Sequence, residues 1–292
     1  MISAASSLVH AGARVAASCR LGDGVTVYPG AHLDDDCEVL GFTQLWSGVH
    51  LERGVRLGPG VAFEPPGDDA GAAIVLGAGC QVGANATIRR GVRIGQGAVV
   101  EPGSVVAQSV PAHAIVRGAP ALAVGYVEQR SVGTPGIGWP ARAELPSGPA
   151  VAPVGVGAVT LHRHRLVRDP RGDLVFGEFP KDIPFEAKRY FIVFGVPNEK
   201  TRGEHAHRAC KQYLICVRGS CAVVVDDARS RCEVLLDAPE LGIYLPPMTW
   251  GIQYKYSADA VLLVFTSEYY DGADYIRHYP DFLAEAQQRA AA

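Results

Sequence analysis

Over roughly the first third of the chain, aliphatic positions recur every six residues. Val15, Leu21, Val27, Leu33, Val39, Leu45, Leu51, Leu57 and Phe63 keep the spacing without a miss. After an interruption it resumes at Leu76, Val82, Ile88, Ile94, Val100 and Val106. The fourth residue after each is small or β-branched, as at Cys19, Val25, Ala31, Cys37, Thr43, Val49, Val55, Val61 and Cys80. Glycine often follows the aliphatic residue, as at Gly22, Gly58, Gly77, Gly83 and Gly95. A repeat this short cannot bury its own apolar face, so neighbouring repeats must stack to make a core. The pattern predicts a left-handed parallel β-helix with three hexapeptides per triangular coil. Each aliphatic side chain points inward over its counterpart three repeats away. Cys19 and Cys37 are three repeats apart and should stack as core filler.

The clock stops before residue 126. Residues 126–157 carry Thr134-Pro135-Gly136 and Pro146-Ser147-Gly148-Pro149, a run of turn formers that reads as a linker. From Val159 the pattern changes to short alternating or continuous apolar runs. Arg189–Phe194, Gln212–Val217, Ala222–Val225, Gly242–Leu245 and Ala260–Phe265 read as strands, and Asp281–Ala286 as a closing helix. Many short strands with one terminal helix predict a barrel or jelly roll. The expected organisation is all-β: a β-helix over 1–125, a linker over 126–157 and a jelly-roll barrel over 158–292.

Composition narrows the function. The 292 residues carry a formal charge of −3, which excludes a strongly basic nucleic-acid or anionic-membrane surface. No apolar run reaches the roughly 18–20 residues of a membrane span. The first residues lack the basic-then-apolar order of a secretory signal. Seven cysteines without a CxxC pair fit a reducing cytoplasm better than a disulfide framework.

The chemistry-bearing segment is Arg202-Gly203-Glu204-His205-Ala206-His207. In a strand, residues two apart share a face, so both imidazoles should turn the same way, into the barrel. Metal-binding cupins also use His-x-His, with a Glu shortly after and a later His. Here Lys211 and Gln212 occupy the Glu region and Gly251 follows Trp250, so no metal is expected.

Arg171-Gly172-Asp173-Leu174, Ile183-Pro184-Phe185, Lys188–Phe191, Arg202–His207, Leu245–Trp250 and Tyr269–Arg277 together resemble the dTDP-4-keto-6-deoxyglucose 3,4-ketoisomerases. The resemblance covers nearly all of residues 159–283. It implies a cupin enzyme acting on a dTDP-linked 4-keto-6-deoxy sugar, with no redox cofactor for the isomerisation. A base removes the C3 proton, an enediolate forms, and a proton returns at C4. His207 is assigned to C3 and His205 to delivery toward C4, though the two could be exchanged. Arg171 and Arg202 are candidates for the oxyanion or diphosphate. Arg189, Tyr190 and Gln212 are further candidates to bind substrate.

The first half is similar to hexapeptide acyltransferases, through Gly83–Ile88 and the tail Val110–Ala121. That implies acetyl-CoA as co-substrate, in a groove between neighbouring β-helices, with Asn85 and Arg117 as candidate groove residues. His32, His50 and His113 are candidate bases. A subgroup of the ketoisomerases is fused to such a domain. Its implied task is N-acetylation of a dTDP-3-amino-3,6-dideoxyhexose, made from the isomerised sugar by a separate PLP aminotransferase. The segment Glu64–Val75 departs from the longer sugar-binding loop of amino-sugar acetyltransferases. It leaves open a second reading, in which the β-helix is a non-catalytic oligomerisation scaffold. A third reading is a non-enzymatic sugar-binding cupin. The expected assembly is a homo-oligomer, a trimer or a hexamer.

Overall fold

The computed structural model describes residues 6–67, 73–129, 145, 148–197 and 200–291. The chain divides into two compact units, Met1–Val127 and Glu128–Ala292. Most of the Pro/Gly-rich stretch between 126 and 157 lies outside the described residues. Its far end is not linker: Ala150–Pro153 forms a strand paired antiparallel with Thr160–Arg163. It is an edge strand, the place where a sheet tolerates proline, and flanking prolines hide its short apolar run in the sequence.

The first unit is a β-solenoid of two- and three-residue parallel strands. Partners stand one coil apart, as Leu8↔Thr26, Arg20↔Glu38 and His32↔His50. Leu33, Val39, Leu45, Leu51 and Leu57 are fully buried, as are the small positions Val25, Ala31, Cys37 and Thr43. Val15 and Leu21 keep the phase but are only half-buried, and Leu8 and Val9 are exposed, because they lie in the first described coil and no described coil stacks below them. Across the interruption Leu51 pairs with Leu76. That coil is 25 residues around instead of 18, and the stack keeps its phase. At the far end Ala114–Arg117 pairs antiparallel with Leu122–Tyr126, which ends the parallel ladder. The tight corners require special backbone. Gly60 has φ +68, and a Cβ there would lie 2.5 Å from Oδ1 of Asn85 in the next coil.

The second unit is a cupin-type barrel of two facing antiparallel sheets, one of six strands and one of five. Its core includes Leu161, Val223, Val225, Leu236, Ile243, Leu262 and Val264. Among the described residues the only α-helix is Tyr279–Ala291. Aromatic packing of Trp250 with Tyr279 and Phe282 docks it, as does a buried pair of Arg231 with Asp226 at 2.6 Å that also binds the Tyr279 hydroxyl. No helix among the described residues is long and apolar enough to cross a membrane.

The barrel also buries polar groups that the sequence reading did not single out. His162 bonds Thr160 and His164 bonds the Tyr213 hydroxyl, each at 2.8 Å. Burial pushes His162 down to about 4 and lowers His164, since a charged imidazole would lose its water there. Unfolding frees both to titrate near 6.5. The unfolded state therefore binds more protons below that pH. The stability is complete above about pH 6.5 and drains away as pH falls toward 4. We expect the unfolding temperature of the cupin unit to fall steeply over that interval, with His162 alone contributing on the order of 3 kcal/mol. His162→Gln should flatten the profile in a calorimetric pH series.

Candidate active site

The strand Arg202–His207 carries the two imidazoles. It pairs with Trp250–Tyr254 on one side and with the short strand Tyr275–Ile276 on the other. Its register breaks between Gly203 and His205. Gly203 has φ +81, and a Cβ there would lie 2.5 Å from the Gly251 carbonyl oxygen, so only glycine fits. Glu204 follows at φ +54, held by the Thr201 hydroxyl. Such bulges re-aim the next side chain. Here that side chain is His205, which faces Gly251 across the pair.

His205 and His207 stand edge to face with ring centroids 5.0 Å apart, and Tyr275 packs on both, at 4.9 and 4.3 Å. Nδ1 of His207 lies 2.7 Å from Oδ2 of Asp274. The Ala209 amide also donates to Asp274, at 2.7 Å. Burial works to raise the Asp274 carboxyl, but the bonds from His207 and from the Ala209 and Cys210 amides outweigh it and hold the group below its usual range. His207 is lowered, chiefly by burial and against the pull of Asp274. The pair is therefore neutral imidazole with carboxylate. Nδ1–H donates to Asp274, and Nε2 keeps its lone pair, which accepts from the Gln212 amide at 3.2 Å.

His205 is built in parallel. Its Nδ1–H donates to the Gly203 carbonyl at 2.9 Å, and burial pushes it down to about 4. Its Nε2 is thus also an acceptor. Both are neutral in the free protein, so neither is a proton donor until it has first taken a proton.

A cavity of about 390 Å³ opens beside the pair. His205, Arg202, Gln212, Tyr275 and Arg277 line it with an apolar wall of Phe191, Val193, Leu214, Leu262 and Val264. His207 does not itself line it; its contacts Gln212 and Tyr275 do. Arg189 reaches Oγ1 of Thr266 at 3.3 Å and lies close enough to depress His207.

Two expected site residues fall elsewhere. Strand alternation turns Tyr190 to the face opposite Arg189, Phe191 and Val193, where it is 65% exposed. Arg171 sits at the tip of a separate hairpin, bound to Asp169 at 2.8 and 3.0 Å. Neither belongs to this cavity. Three residues were missed: Asp274, Tyr275 and Arg277. Their signal lay in the polar and aromatic density of Tyr269–Arg277, but nothing local ties that segment to a strand 67 residues earlier. Arg208 makes the tie: its guanidinium donates to the Ala273 and Tyr275 carbonyls, at 2.6 and 3.1 Å, and pairs with Glu285 of the helix.

In the solenoid, Asn85 takes a corner at φ +57 and Arg117 is paired with Glu101, Nη2 to Oε1 at 2.9 Å. His113 stands over the Gly97 corner.

The family model FdtA, described as WxcM-like, C-terminal, matches residues 157–287, and that of the bacterial transferase hexapeptide (six repeats) matches residues 73–108. Over 118 residues the chain is 44% identical to a TDP-4-oxo-6-deoxy-alpha-D-glucose-3,4-oxoisomerase of Aneurinibacillus thermoaerophilus, covering 40% of this chain and 85% of the relative. Among solved structures, a sugar 3,4-ketoisomerase of Thermoanaerobacterium thermosaccharolyticum in complex with TDP is 36% identical, over 45% of this chain and 96% of that one, with TM-score 0.44. A 3,4-ketoisomerase of Helicobacter canadensis is 33% identical, over 44% and 97%, with TM-score 0.43. Through its second unit, the chain belongs to the WxcM-like, C-terminal (FdtA) family.

Proposed function

We propose that the cupin unit is a nucleotide-sugar 3,4-ketoisomerase acting on a dTDP-linked 4-keto-6-deoxyglucose. The observation that carries this reading is the neutral His207 backed by the Asp274 carboxylate, beside a second neutral imidazole at one cavity. Kinship with the Aneurinibacillus oxoisomerase supports the substrate class.

The isomerisation takes one proton from C3 and one from O3, and returns one to C4 and one to O4. Two neutral imidazoles are the acceptors it needs. Nε2 of His207 takes the C3 proton, which the 4-keto group acidifies, and Asp274 stabilises the imidazolium formed. The Gln212 amide gives up its bond to His207 as the sugar arrives. His205 takes the O3 hydroxyl proton and becomes the donor toward C4, while the proton held by His207 passes to O4. Each imidazole ends as it began. Arg202 and Arg277 at the cavity supply positive charge for the enediolate or the diphosphate, and Arg189 adds to it from beside His207. No redox cofactor enters the balance.

We further propose that the solenoid unit is an acetyl-CoA-dependent N-acyltransferase, which its hexapeptide repeats favour. Its acceptor would be a dTDP-3-amino-3,6-dideoxyhexose, formed from the 3-keto product by a separate PLP aminotransferase. Asn85 and Arg117 are its candidate groove residues, in a homo-oligomer that brings solenoids together.

His207→Asn should abolish exchange of the C3 proton into deuterated water, read by NMR of the dTDP-4-keto sugar. His205→Asn should retain that exchange yet lower isomerised product by about 10²–10⁴-fold. Wild-type exchange in the His207 variant would refute the assignment.

Asp274→Asn should lower kcat by about 10²–10⁴-fold with a much smaller change in KM, since it removes the partner of an imidazolium formed only during reaction. Asp274→Glu should recover part of the rate, and an equal loss in both variants would reduce Asp274 to a structural role.

For the solenoid, thiol release from acetyl-CoA should depend on the 3-amino sugar. Release at background level with that acceptor would leave it a scaffold.

A further inference from the structure

The solenoid carries a cluster in which His32 and His50, candidate bases by sequence, are joined to a carboxylate. His32 and His50 are direct partners in adjacent parallel strands, so the backbone register sets their spacing. Their rings stack with centroids 4.6 Å apart and planes within 5°. Asp34 lies two residues after His32 and so on the same outward face, and its amide is held by the Leu51 carbonyl at 2.9 Å. Its carboxylate spans the two rings: Oδ1 is 3.2 Å from Nε2 of His32, and Oδ2 is 3.2 Å from Nε2 of His50. The same nitrogen of each imidazole is thus turned to one carboxylate.

We propose that His32, Asp34 and His50 form a binding site for a divalent metal ion of the zinc group. Three arguments converge. The donor set is two imidazoles and a carboxylate, which suits zinc, cobalt or nickel and not magnesium or calcium. The spacing also fits. Ligands about 2.0–2.1 Å from a tetrahedral ion stand roughly 3.3 Å from one another, and each Nε2 already lies 3.2 Å from one oxygen of the shared carboxylate, His32 from Oδ1 and His50 from Oδ2. All three donor atoms lie within 4.8 Å of one another, so closing the site asks that the two Nε2 ends tilt together and that the carboxylate turn one oxygen to both or bind through both. Finally, the charge is favourable. Asp34 serves two imidazoles, and the carboxylate of the adjacent Asp35 accepts from the Ser18 hydroxyl, whereas Asp36 is neutralised by Arg53. The ladder ends the donor set on both sides, with Arg14 preceding His32 and Val75 following His50. The three side chains are 35–42% exposed, which leaves an open coordination position for water or a ligand oxygen.

The test uses the untagged full-length chain and cobalt(II), followed by equilibrium dialysis and visible absorption. Saturable uptake with four-coordinate d–d bands is expected. His50→Gln and Asp34→Asn should each weaken it more than about tenfold. Cys210→Ser should leave it unchanged, which separates this site from the His207, Cys210 and Asp274 cluster in the cupin. Zinc should raise the unfolding temperature of the wild type and not that of Asp34→Asn, provided both show the same circular dichroism without metal. His32→Gln replaces either variant if it fails to fold. Absence of uptake by the wild type, or equal uptake in the solenoid variants, overturns the site.

Discussion

The bond between His207 and Asp274 organises the cupin unit. It fixes which imidazole nitrogen bears the proton, and so which one is left to act on a ligand. Asp274 can serve only because the Tyr275–Ile276 strand lies against the strand of the two histidines. That placement depends in turn on Arg208, which bonds the carbonyls on either side of Asp274 and anchors to Glu285. The C-terminal helix is thus part of the machinery that holds a carboxylate in place, although it contributes nothing to the cavity. A carboxylate kept ionised while partly buried needs several donors, and two backbone amides and an imidazole supply them.

The two units solve the problem of a small all-β core in opposite ways. The solenoid repeats one short instruction and lets stacking accumulate buried area coil by coil. The barrel is assembled from long-range antiparallel pairs, such as Gln212↔Thr266 and Ala206↔Ile276, with no periodicity above that of the single strand. It also tolerates polar groups inside, where Thr160, His162, His164 and Tyr213 satisfy one another in pairs.

That contrast explains what the sequence disclosed. The solenoid was legible almost to the residue because its period is local. The half-burial of Val15 and Leu21 is a matter of which coil has a neighbour, which periodicity does not express. In the cupin, His205 and His207 were legible because a strand's alternation places them on one face. The same alternation removes Tyr190 from the cavity, since it is out of phase with Arg189 and Phe191. Asp274 and Arg277 were not legible as site residues, because their partners are fixed by strand pairing across more than sixty residues. The metal cluster was hidden differently: His32 and His50 read as separate surface histidines until coil stacking put one over the other.

The seven additional residues in the coil that carries the interruption leave the registers on either side intact. A coil is therefore counted by where the chain re-enters the stack, not by its length. The entropic penalty of a longer excursion grows only with the logarithm of its size. The stretch between Phe63 and Ile74 is thus a point of evolvability, at which segments of different length and chemistry can be exchanged while each inward-facing side chain keeps its neighbour.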